Sequence, residues 1–275
     1  MKPQEIRAKI ESLDAIPAIS PVVRRLLLTV ERPTASYTEL GEIISKDQAI
    51  TAKLLRMVNS PIYGFPGRIS SVSQALILLG LHVVKGILLG LSVVEIMEKT
   101  MMGLWEHSLF TAIAAKTIAI KKGVPEPEEV MTSALLHDIG KVALKINFPA
   151  EYDQALSLAD SRDLLIRKAE DDIFGLNHST AGGWLARQWN FPVTLAEPIA
   201  YHHKPALTQY APQQTTIVHV ADLLVRARGF GFGGDRLVPP VEPRVWESLR
   251  LSEEDIREIL DLLEDAAHSV EAITL

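Results

Sequence analysis

The sequence contains no cysteine, and this absence narrows the chemistry that is open to it. Without thiols the chain cannot form disulfides, attack a substrate with a thiolate or hold zinc through sulfur. Any metal would have to be held by histidine and carboxylate side chains. The composition is compatible with a reducing compartment, and we expect a cytoplasmic protein.

Clusters of positive charge and long uninterrupted apolar runs are also missing. The 275 residues carry a net charge of −6, and basic residues come only in short pairs such as Arg24-Arg25 and Lys121-Lys122. We therefore expect no direct binding of nucleic acid. The most apolar stretch, Val72 to Met97, is interrupted by polar side chains and divided by Gly80, so it predicts two buried helices and no membrane span. The N-terminus has no apolar signal core.

Convincing alternation of polar and apolar residues is absent from the N-terminal part, and apolar residues instead recur at helical spacing. Helix-start signals precede these runs: Ser20 before Pro21, Ser36 with Glu39, and Asp47. The pattern predicts an all-α protein. Since the length allows one long domain or two, we expect a two-lobed arrangement, with a helical lobe at residues 1–100 and a second at residues 101–275.

A histidine and an aspartate stand side by side at the end of an apolar helical run, in Ala134-Leu135-Leu136-His137-Asp138-Ile139-Gly140-Lys141. On a helix, Lys141 can lean towards the same side as His137 and Asp138. A nitrogen ligand, an oxygen ligand and a cation together suit a divalent metal with a phosphate beside it. Alternatively, His137 bonds a carbonyl, Asp138 caps a helix and pairs with Lys141, and Gly140 ends a helix.

Other candidate ligands lie on or at the ends of separate predicted helices. Helical bundles build metal sites from inward-facing residues of different helices, so scattered spacing is what this chemistry requires. One ion would be held by His107, His137, Asp138 and Asp222, and a second by His178 with His202 or His203, bridged by Asp138. Two ions about 3.5–4 Å apart would activate a water for phosphodiester hydrolysis. Such ligands suit Fe, Mn, Ni or Zn. Alternatively, His202 and His203 are not ligands and cap their own helix.

Glycine is concentrated in Gly229-Phe230-Gly231-Phe232-Gly233-Gly234, which formally contains a G-x-G-x-x-G spacing. The stretch follows a predicted helix instead of a strand, so we reject dinucleotide binding and predict a flexible connection. Further on, Ser252 predicts the start of a final helix from Glu253 to about Val270. Its apolar stripe could meet a partner helix or pack back on the body, and we favour packing back.

Several motifs, in order along the chain, together resemble the HDOD family, the HD-related output domains of bacterial signalling proteins. The resemblance covers roughly residues 10 to 228. The motifs are the helix from Asp47 to Ser60, the turn Asn59-Ser60-Pro61-Ile62-Tyr63-Gly64, Ile69-Ser70-Ser71 running into Ala75-Leu76-Ile77-Leu78-Leu79-Gly80-Leu81, Leu136-His137-Asp138-Ile139-Gly140-Lys141, His178 with Gly182 and Trp189, and Ile199-Ala200-Tyr201-His202-His203-Lys204-Pro205. The candidate ligands also resemble those of the wider HD superfamily of metal-dependent phosphohydrolases.

The HDOD resemblance implies a regulatory module without demonstrated catalysis, which binds a signalling partner or a nucleotide or phosphoester ligand. The HD resemblance implies instead a metal-dependent phosphodiesterase or phosphatase, in which Lys141 steadies the phosphate. Relatives that hydrolyse cyclic dinucleotides usually carry a carboxylate where this chain has Gly103, and a Gly-Tyr-Pro motif where it has Lys204-Pro205-Ala206-Leu207. We therefore expect a binding module, with the hydrolase as the alternative and a purely structural metal as the third possibility.

Overall fold

The fold is helical, and this confirms the all-α prediction. The computed structural model describes residues 3–12, 16, 19–30, 32, 36–60, 63 and 67–274, with the backbone alone at residues 95, 96, 98, 100 and 268–274. Within these ranges every α or β element is a helix. None of the helices searched there is both long enough and apolar enough to cross a membrane.

Local signals mark several boundaries of the first six helices. Ser36 accepts a hydrogen bond from the Glu39 N–H at 3.1 Å, and Asp47 accepts one from the Ile50 N–H at 3.1 Å. Gly80, with a φ of +80°, separates the two helices predicted in the apolar stretch. The six are α1 (Pro3–Ile10), α2 (Pro21–Val30), α3 (Tyr37–Ser45), α4 (Gln48–Val58), α5 (Val72–Leu79) and α6 (Leu81–Thr100).

The side chain of Asn59 ties together the ends of the turn-rich stretch after α4. Its amide nitrogen donates to the carbonyls of Leu55 and Ile69 at 2.9 and 2.7 Å, and its oxygen accepts the Ile69 N–H at 3.0 Å. Tyr63, inside the stretch, is buried. Residues 61, 62 and 64–66 of the predicted turn lie outside the described residues.

The remaining helices include one long buried helix, α7. Because α7 is apolar on nearly all faces, neighbours cover it on several sides, and α8 and α14 pack against it. The elements are α7 (Leu104–Lys121), α8 (Pro127–Leu136), α9 (Ile139–Asn147), α10 (Pro149–Ser161), α11 (Ile166–Phe174), α12 (His178–Gln188), α13 (Val193–Tyr201), a 3₁₀ turn (Pro205–Leu207), α14 (Pro212–Arg228), α15 (Pro243–Leu249) and α16 (Glu253–Thr274).

The last helix starts at the predicted cap and packs back, as the sequence favoured. The Asp255 N–H donates to Ser252 Oγ at 3.0 Å. Ile259 and Leu263 are fully buried, and Lys121 of α7 donates to Asp255 at 2.9 Å. The first half of α16 is therefore part of the same body as α7.

Contacts between residues divide the chain into two compact units. One unit consists of Met1–Ile16 and Glu95–Leu263, and the other of Pro17–Val94 and Glu264–Leu275. All the candidate metal ligands belong to the first unit. The two lobes predicted at residues 1–100 and 101–275 stay a prediction.

Candidate metal centre

The candidate ligands come from five places along the chain and meet in the interior of one unit. All of them except half-buried His203 are almost completely buried. They are His107 in the first turn of α7, His137 and Asp138 between α8 and α9, His178 at the start of α12, His202 and His203 directly after α13, and Asp222 on α14.

Three of these residues form what we call the His–Asp set: His107, His137 and Asp222. One ligand atom from each lies within 4.8 Å of the other two. Nε2 of His107 is 3.2 Å from Oδ1 of Asp222. These two atoms and Nε2 of His137 are buried and have no hydrogen-bond partner among the described residues.

The other three histidines, His178, His202 and His203, form what we call the three-histidine set. Nε2 of His203 lies 2.8 Å from Nε2 of His178 and 3.1 Å from Nε2 of His202. Imidazole nitrogens this close must share protons or share a cation, because two lone pairs facing each other repel. This set also satisfies the spacing of metal ligands.

Asp138 stands between the two sets and faces both. Its Oδ1 is 3.2 Å from Nε2 of His178, in the three-histidine set. Its Oδ2 is 3.3 Å from Nε2 of His137 and 3.6 Å from Nε2 of His107, in the His–Asp set. One carboxylate is therefore in reach of ions in both sets.

Backbone carbonyls behind two of the rings determine which nitrogen carries the proton. Nδ1 of His137 lies 2.6 Å from the Ala134 carbonyl oxygen, and Nδ1 of His202 lies 3.0 Å from that of Ile199. A carbonyl only accepts, so Nδ1 donates and Nε2 of the neutral ring keeps a free lone pair. Metal-binding histidines are commonly oriented in this way. A hydrogen bond from His137 to a carbonyl is the alternative to metal binding considered from the sequence. The structure shows that hydrogen bond at Nδ1, while Nε2 of the same ring faces the other candidate ligands.

The carboxylate of Glu170, on α11, is the acceptor for Nδ1 of His178. This residue was not identified from the sequence. Oε2 of Glu170 lies 2.5 Å from Nδ1 of His178, and Glu170 is fully buried. One signal could have identified it. Glu170 falls on the buried stripe of α11 with Ile166, Ala169 and Phe174, where an acidic residue is unusual.

The charges in the centre hold its carboxylates ionised. Burial by itself would raise the pKa of Asp138, but His137 and Lys141 hold it well below its ordinary value. Burial opposes ionisation of Asp222 in the same way, and contact with His107 together with the charge of Arg226 keeps its pKa low. Burial also lowers the pKa of His202 well below 6.5. Ionised carboxylates and neutral imidazoles are the forms that bind metals. Burial is outweighed at His137, where the charge of Asp138 raises the pKa, so this ring would have to lose a proton when a metal binds.

The side chains present fit a divalent transition metal. Nε2 of His107 and His137, Oδ1 of Asp138 and Oδ1 of Asp222 are buried polar atoms without hydrogen-bond partners in the described part of the chain. Each such atom costs about 1–3 kcal/mol when it is left without a partner. A cation shared among them would remove that cost, and the imidazole and carboxylate donors suit Fe, Mn, Ni or Zn.

The ammonium group of Lys141 donates hydrogen bonds to two groups of the protein. Its Nζ lies 2.6 Å from Oδ2 of Asp138 and 2.6 Å from the carbonyl oxygen of Gly233, and the side chain is buried. Of the roles considered from the sequence, pairing with Asp138 is the one the structure shows. Gly140, offered as a helix end, lies inside α9, where a Cβ would stand 1.9 Å from the His178 carbonyl oxygen. Its role is close packing of α9 on α12, so that alternative was wrong.

The glycine-rich loop Gly229–Gly234 packs directly on the His–Asp set. The Phe232 N–H donates to the Gly103 carbonyl at 2.9 Å. A Cβ on Gly231, whose φ is +65°, would lie 2.2 Å from the backbone nitrogen of His107. The loop also lines a cavity of about 340 Å³ together with His107. The prediction of a flexible connection did not foresee these contacts.

Comparison with known proteins identifies a family and several similar structures. The HDOD domain matches residues 16–205. The structure of an HDOD domain protein of unknown function from Geobacter sulfurreducens is 26% identical, with a TM-score of 0.70 over 99% of this chain and 97% of that one. A candidate signal transduction protein from Marinobacter aquaeolei is 21% identical, with a TM-score of 0.69 over 93% of this chain and 58% of that one.

Two further matches are more limited in what they show. A candidate phosphohydrolase from Shewanella amazonensis is 20% identical, with a TM-score of 0.66 over 95% of this chain and 93% of that one. At such identity the likeness, as with the Marinobacter protein, shows the fold alone. An uncharacterized protein of Treponema pallidum is 23% identical over an alignment of 224 residues, which covers 78% of this chain and 43% of that relative's length.

Proposed function

The chain belongs to the HDOD domain family, and from this premise we propose that it is a bacterial signalling output module that acts by binding a partner protein or a ligand. We propose further that it holds one or two divalent transition-metal ions. The observation that carries the metal proposal is the convergence of buried histidine and aspartate atoms that lack hydrogen-bond partners among the described residues.

The two sets would divide the ions between them. His107, His137 and Asp222 would hold one ion with Asp138, and His178, His202 and His203 would hold a second, with Asp138 shared. The distances of 3.2 to 3.6 Å between Asp138 oxygens and the surrounding Nε2 atoms support this sharing. The metal could be Fe, Mn, Ni or Zn.

The proposed binding role has two candidate places, the metal centre and the turn-rich segment after α4. We propose that the segment from Asn59 to Gly67, whose ends are tied together by Asn59, contributes to partner or ligand binding. We also propose the two lobes, residues 1–100 and 101–275, as the functional division of the chain. Support for a signalling role comes from the family itself.

The first test is elemental analysis of the purified protein beside two variants. His137→Ala removes a ligand, whereas His82→Ala removes a histidine that belongs to neither set. We expect about one to two equivalents of transition metal in the wild type and in the His82 variant, and loss of metal in the His137 variant. Absence of metal from all three after reconstitution would contradict the proposal.

A second candidate function, a metal-dependent phosphohydrolase, is favoured by the position of Asp138 between two ligand sets. Two bound ions would activate a water and polarise the phosphorus centre. The chain's own contribution is to hold the two sets close together and to exclude bulk water. Lys141 would steady the phosphate only after leaving the Gly233 carbonyl, which now accepts a hydrogen bond from its Nζ at 2.6 Å.

Turnover separates the candidates. Metal-loaded wild type and Asp138→Asn would be assayed with cyclic dinucleotides and then with simpler phosphoesters. The enzyme proposal expects turnover in the wild type and its loss in the variant. If neither protein hydrolyses any phosphoester, the binding module remains. If the metal has a purely structural role, its removal by a chelator would lower the melting temperature of the protein without changing ligand binding.

A further inference from the structure

Glu170 is a buried carboxylate that lies directly behind one of the candidate ligands. Its Oε2 accepts two hydrogen bonds from His178, from the backbone N–H at 2.9 Å and from Nδ1 at 2.5 Å. Its Oε1 accepts the hydroxyl of Tyr152 at 2.9 Å. All three groups that contact the carboxylate are donors.

A carboxylate is an expensive side chain to bury, and an ion pair would usually offset the cost. No lysine or arginine in the described ranges forms one with Glu170, whose only ionic contact there is His178. An apolar side chain on the stripe of α11 would fill the space at a lower cost in desolvation. The feature that a carboxylate supplies and an apolar group does not is an acceptor for Nδ1 of His178.

That acceptor determines the tautomer of His178. Oε2 of Glu170 accepts the His178 backbone N–H and lies close to Nδ1 as well, so Nδ1 carries a proton, and in the neutral ring the lone pair then lies on Nε2. Nε2 in turn points at Nε2 of His203, 2.8 Å away, and at Oδ1 of Asp138, 3.2 Å away. Burial and the Glu170 charge raise the pKa of Tyr152 well above its ordinary value, so the phenol keeps its proton and remains a donor to Glu170.

The two ligand sets differ in where their negative charge comes from. The His–Asp set includes Asp222, whereas no member of the three-histidine set is a carboxylate, and within the described residues Nε2 of His178 lies near a carboxylate oxygen only in shared Asp138. Glu170 adds a carboxylate next to the three-histidine set, and the imidazole of His178 separates it from the candidate ligand atoms. Carboxylates behind metal-binding histidines both orient the ring and strengthen it as a ligand.

We propose that Glu170 is a positioning residue that fixes His178 in the tautomer with a free Nε2 and supplies negative charge to the three-histidine set. This inference rests on the proposed metal site for its effect on binding, but its effect on the tautomer can be measured without metal. It predicts that Glu170 affects one of the two sets selectively.

The first measurement is the tautomer of His178 in metal-free protein, read from nitrogen chemical shifts of protein labelled at its histidines. Glu170→Leu is made together with Tyr152→Phe, so that no hydroxyl is left without a partner, and it should move the His178 proton towards Nε2. Glu170→Gln keeps an acceptor and should retain the tautomer. Tyr152→Phe alone is the control and should match the wild type.

The second measurement is titration with Co²⁺, whose absorption spectrum reports the ligands of each ion. Glu170→Gln, which lacks the charge, should weaken one of two equivalents, and the Leu variant should weaken it by about 10–100-fold. The other equivalent should be unchanged. Tyr152→Phe should again resemble the wild type.

The outcomes separate this inference from the proposed function. If the wild type binds Co²⁺ at two sites and the Leu variant keeps both the tautomer and the affinities, the role of Glu170 is overturned while the metal centre stands. If the wild type binds no ion, the proposed function fails together with the effect of Glu170 on binding. The tautomer measurement then decides whether Glu170 orients His178.

Discussion

The two ligand sets lie side by side but are built differently. The His–Asp set has its own carboxylate, Asp222, and is covered by the glycine-rich loop. The three-histidine set contains no carboxylate, includes the half-buried His203, and has Glu170 bonded to His178. A carboxylate, Asp222, is thus a member of the His–Asp set, whereas the carboxylate of Glu170 contacts the three-histidine set from behind His178. We infer that an ion in the three-histidine set is the more accessible and the more dependent on surrounding residues.

The loop also packs against Gly103, the position where the HD resemblance leads one to expect a carboxylate. Gly103 has a φ of +86°. A Cβ there would lie 3.0 Å from the backbone nitrogen of Phe232. A side chain at this position would therefore meet the backbone of the loop.

Removal of the shared carboxylate should have the largest effect, because it abolishes the link between the sets. Asp138→Ala leaves Lys141 buried without its ionic partner and should lower the free energy of unfolding by about 3–5 kcal/mol. It should also release metal from both sets. Urea unfolding and elemental analysis measure the two effects. The double variant Asp138→Ala, Lys141→Met should regain stability but not metal; failure to regain stability would contradict the charge argument.

Removing one ligand from each set should distinguish two sites from one. Asp222→Asn keeps the shape of the side chain but loses its charge, and His203→Ala removes the half-buried ring. Each variant should lose about one equivalent of metal and keep the other. The spectra of Co²⁺-substituted variants would identify which ion is lost. Loss of both ions from either variant would show that the sets act as one site.

The cover over the His–Asp set can be tested with a pair of glycines. Gly231→Ala places a Cβ against the backbone of His107 and should lower the free energy of unfolding by roughly 3 kcal/mol. A chelator should then strip the His–Asp ion faster. Gly229→Ala is the matched control, because its φ is +74° and no described atom lies within 4 Å of the added Cβ. It should cost about 1 kcal/mol. Equal effects would mean that the loop contact is unimportant.

The smallest expected effect is a pH dependence of stability in metal-free protein. Burial lowers the pKa of His202 well below 6.5. The unfolded state therefore binds a proton as the pH falls through about 6.5, whereas the folded state does not, and stability is lost below that pH at about 1 kcal/mol per pH unit. Above it the contribution of His202 is constant. Urea unfolding of wild type and His202→Gln across this range should show a shallower slope in the variant; equal slopes would exclude His202.

Much of the fold followed from signals that act over a few residues. Ser36, Asp47 and Gly80 mark helix boundaries because a cap or a positive φ acts within one turn. The short helix α15 was missed. Its seven residues bury only Val245 and Leu249, too few to show a periodic pattern.

Only part of the candidate metal site could be predicted from the sequence. The histidines and aspartates were recognisable by residue type and by the resemblance to a known family, and the structure brings all of them together. Glu170 and the loop over His107 were not recognised, because each acts through a contact with residues distant in the chain or on another helix. A local pattern does not encode which helix a buried acid will face.

The sequence by itself determined the helical class, most helix boundaries, the family and the types of ligand available, because all of these depend on local spacing and residue chemistry. Only the tertiary structure decided which ligands face each other, that Lys141 bonds Asp138 and Gly233, and that Glu170 stands behind His178. The reason is physical. The packing of α9, α11, α12 and α14 decides which buried polar atoms meet, and hydrogen-bond and charge energies depend on those distances.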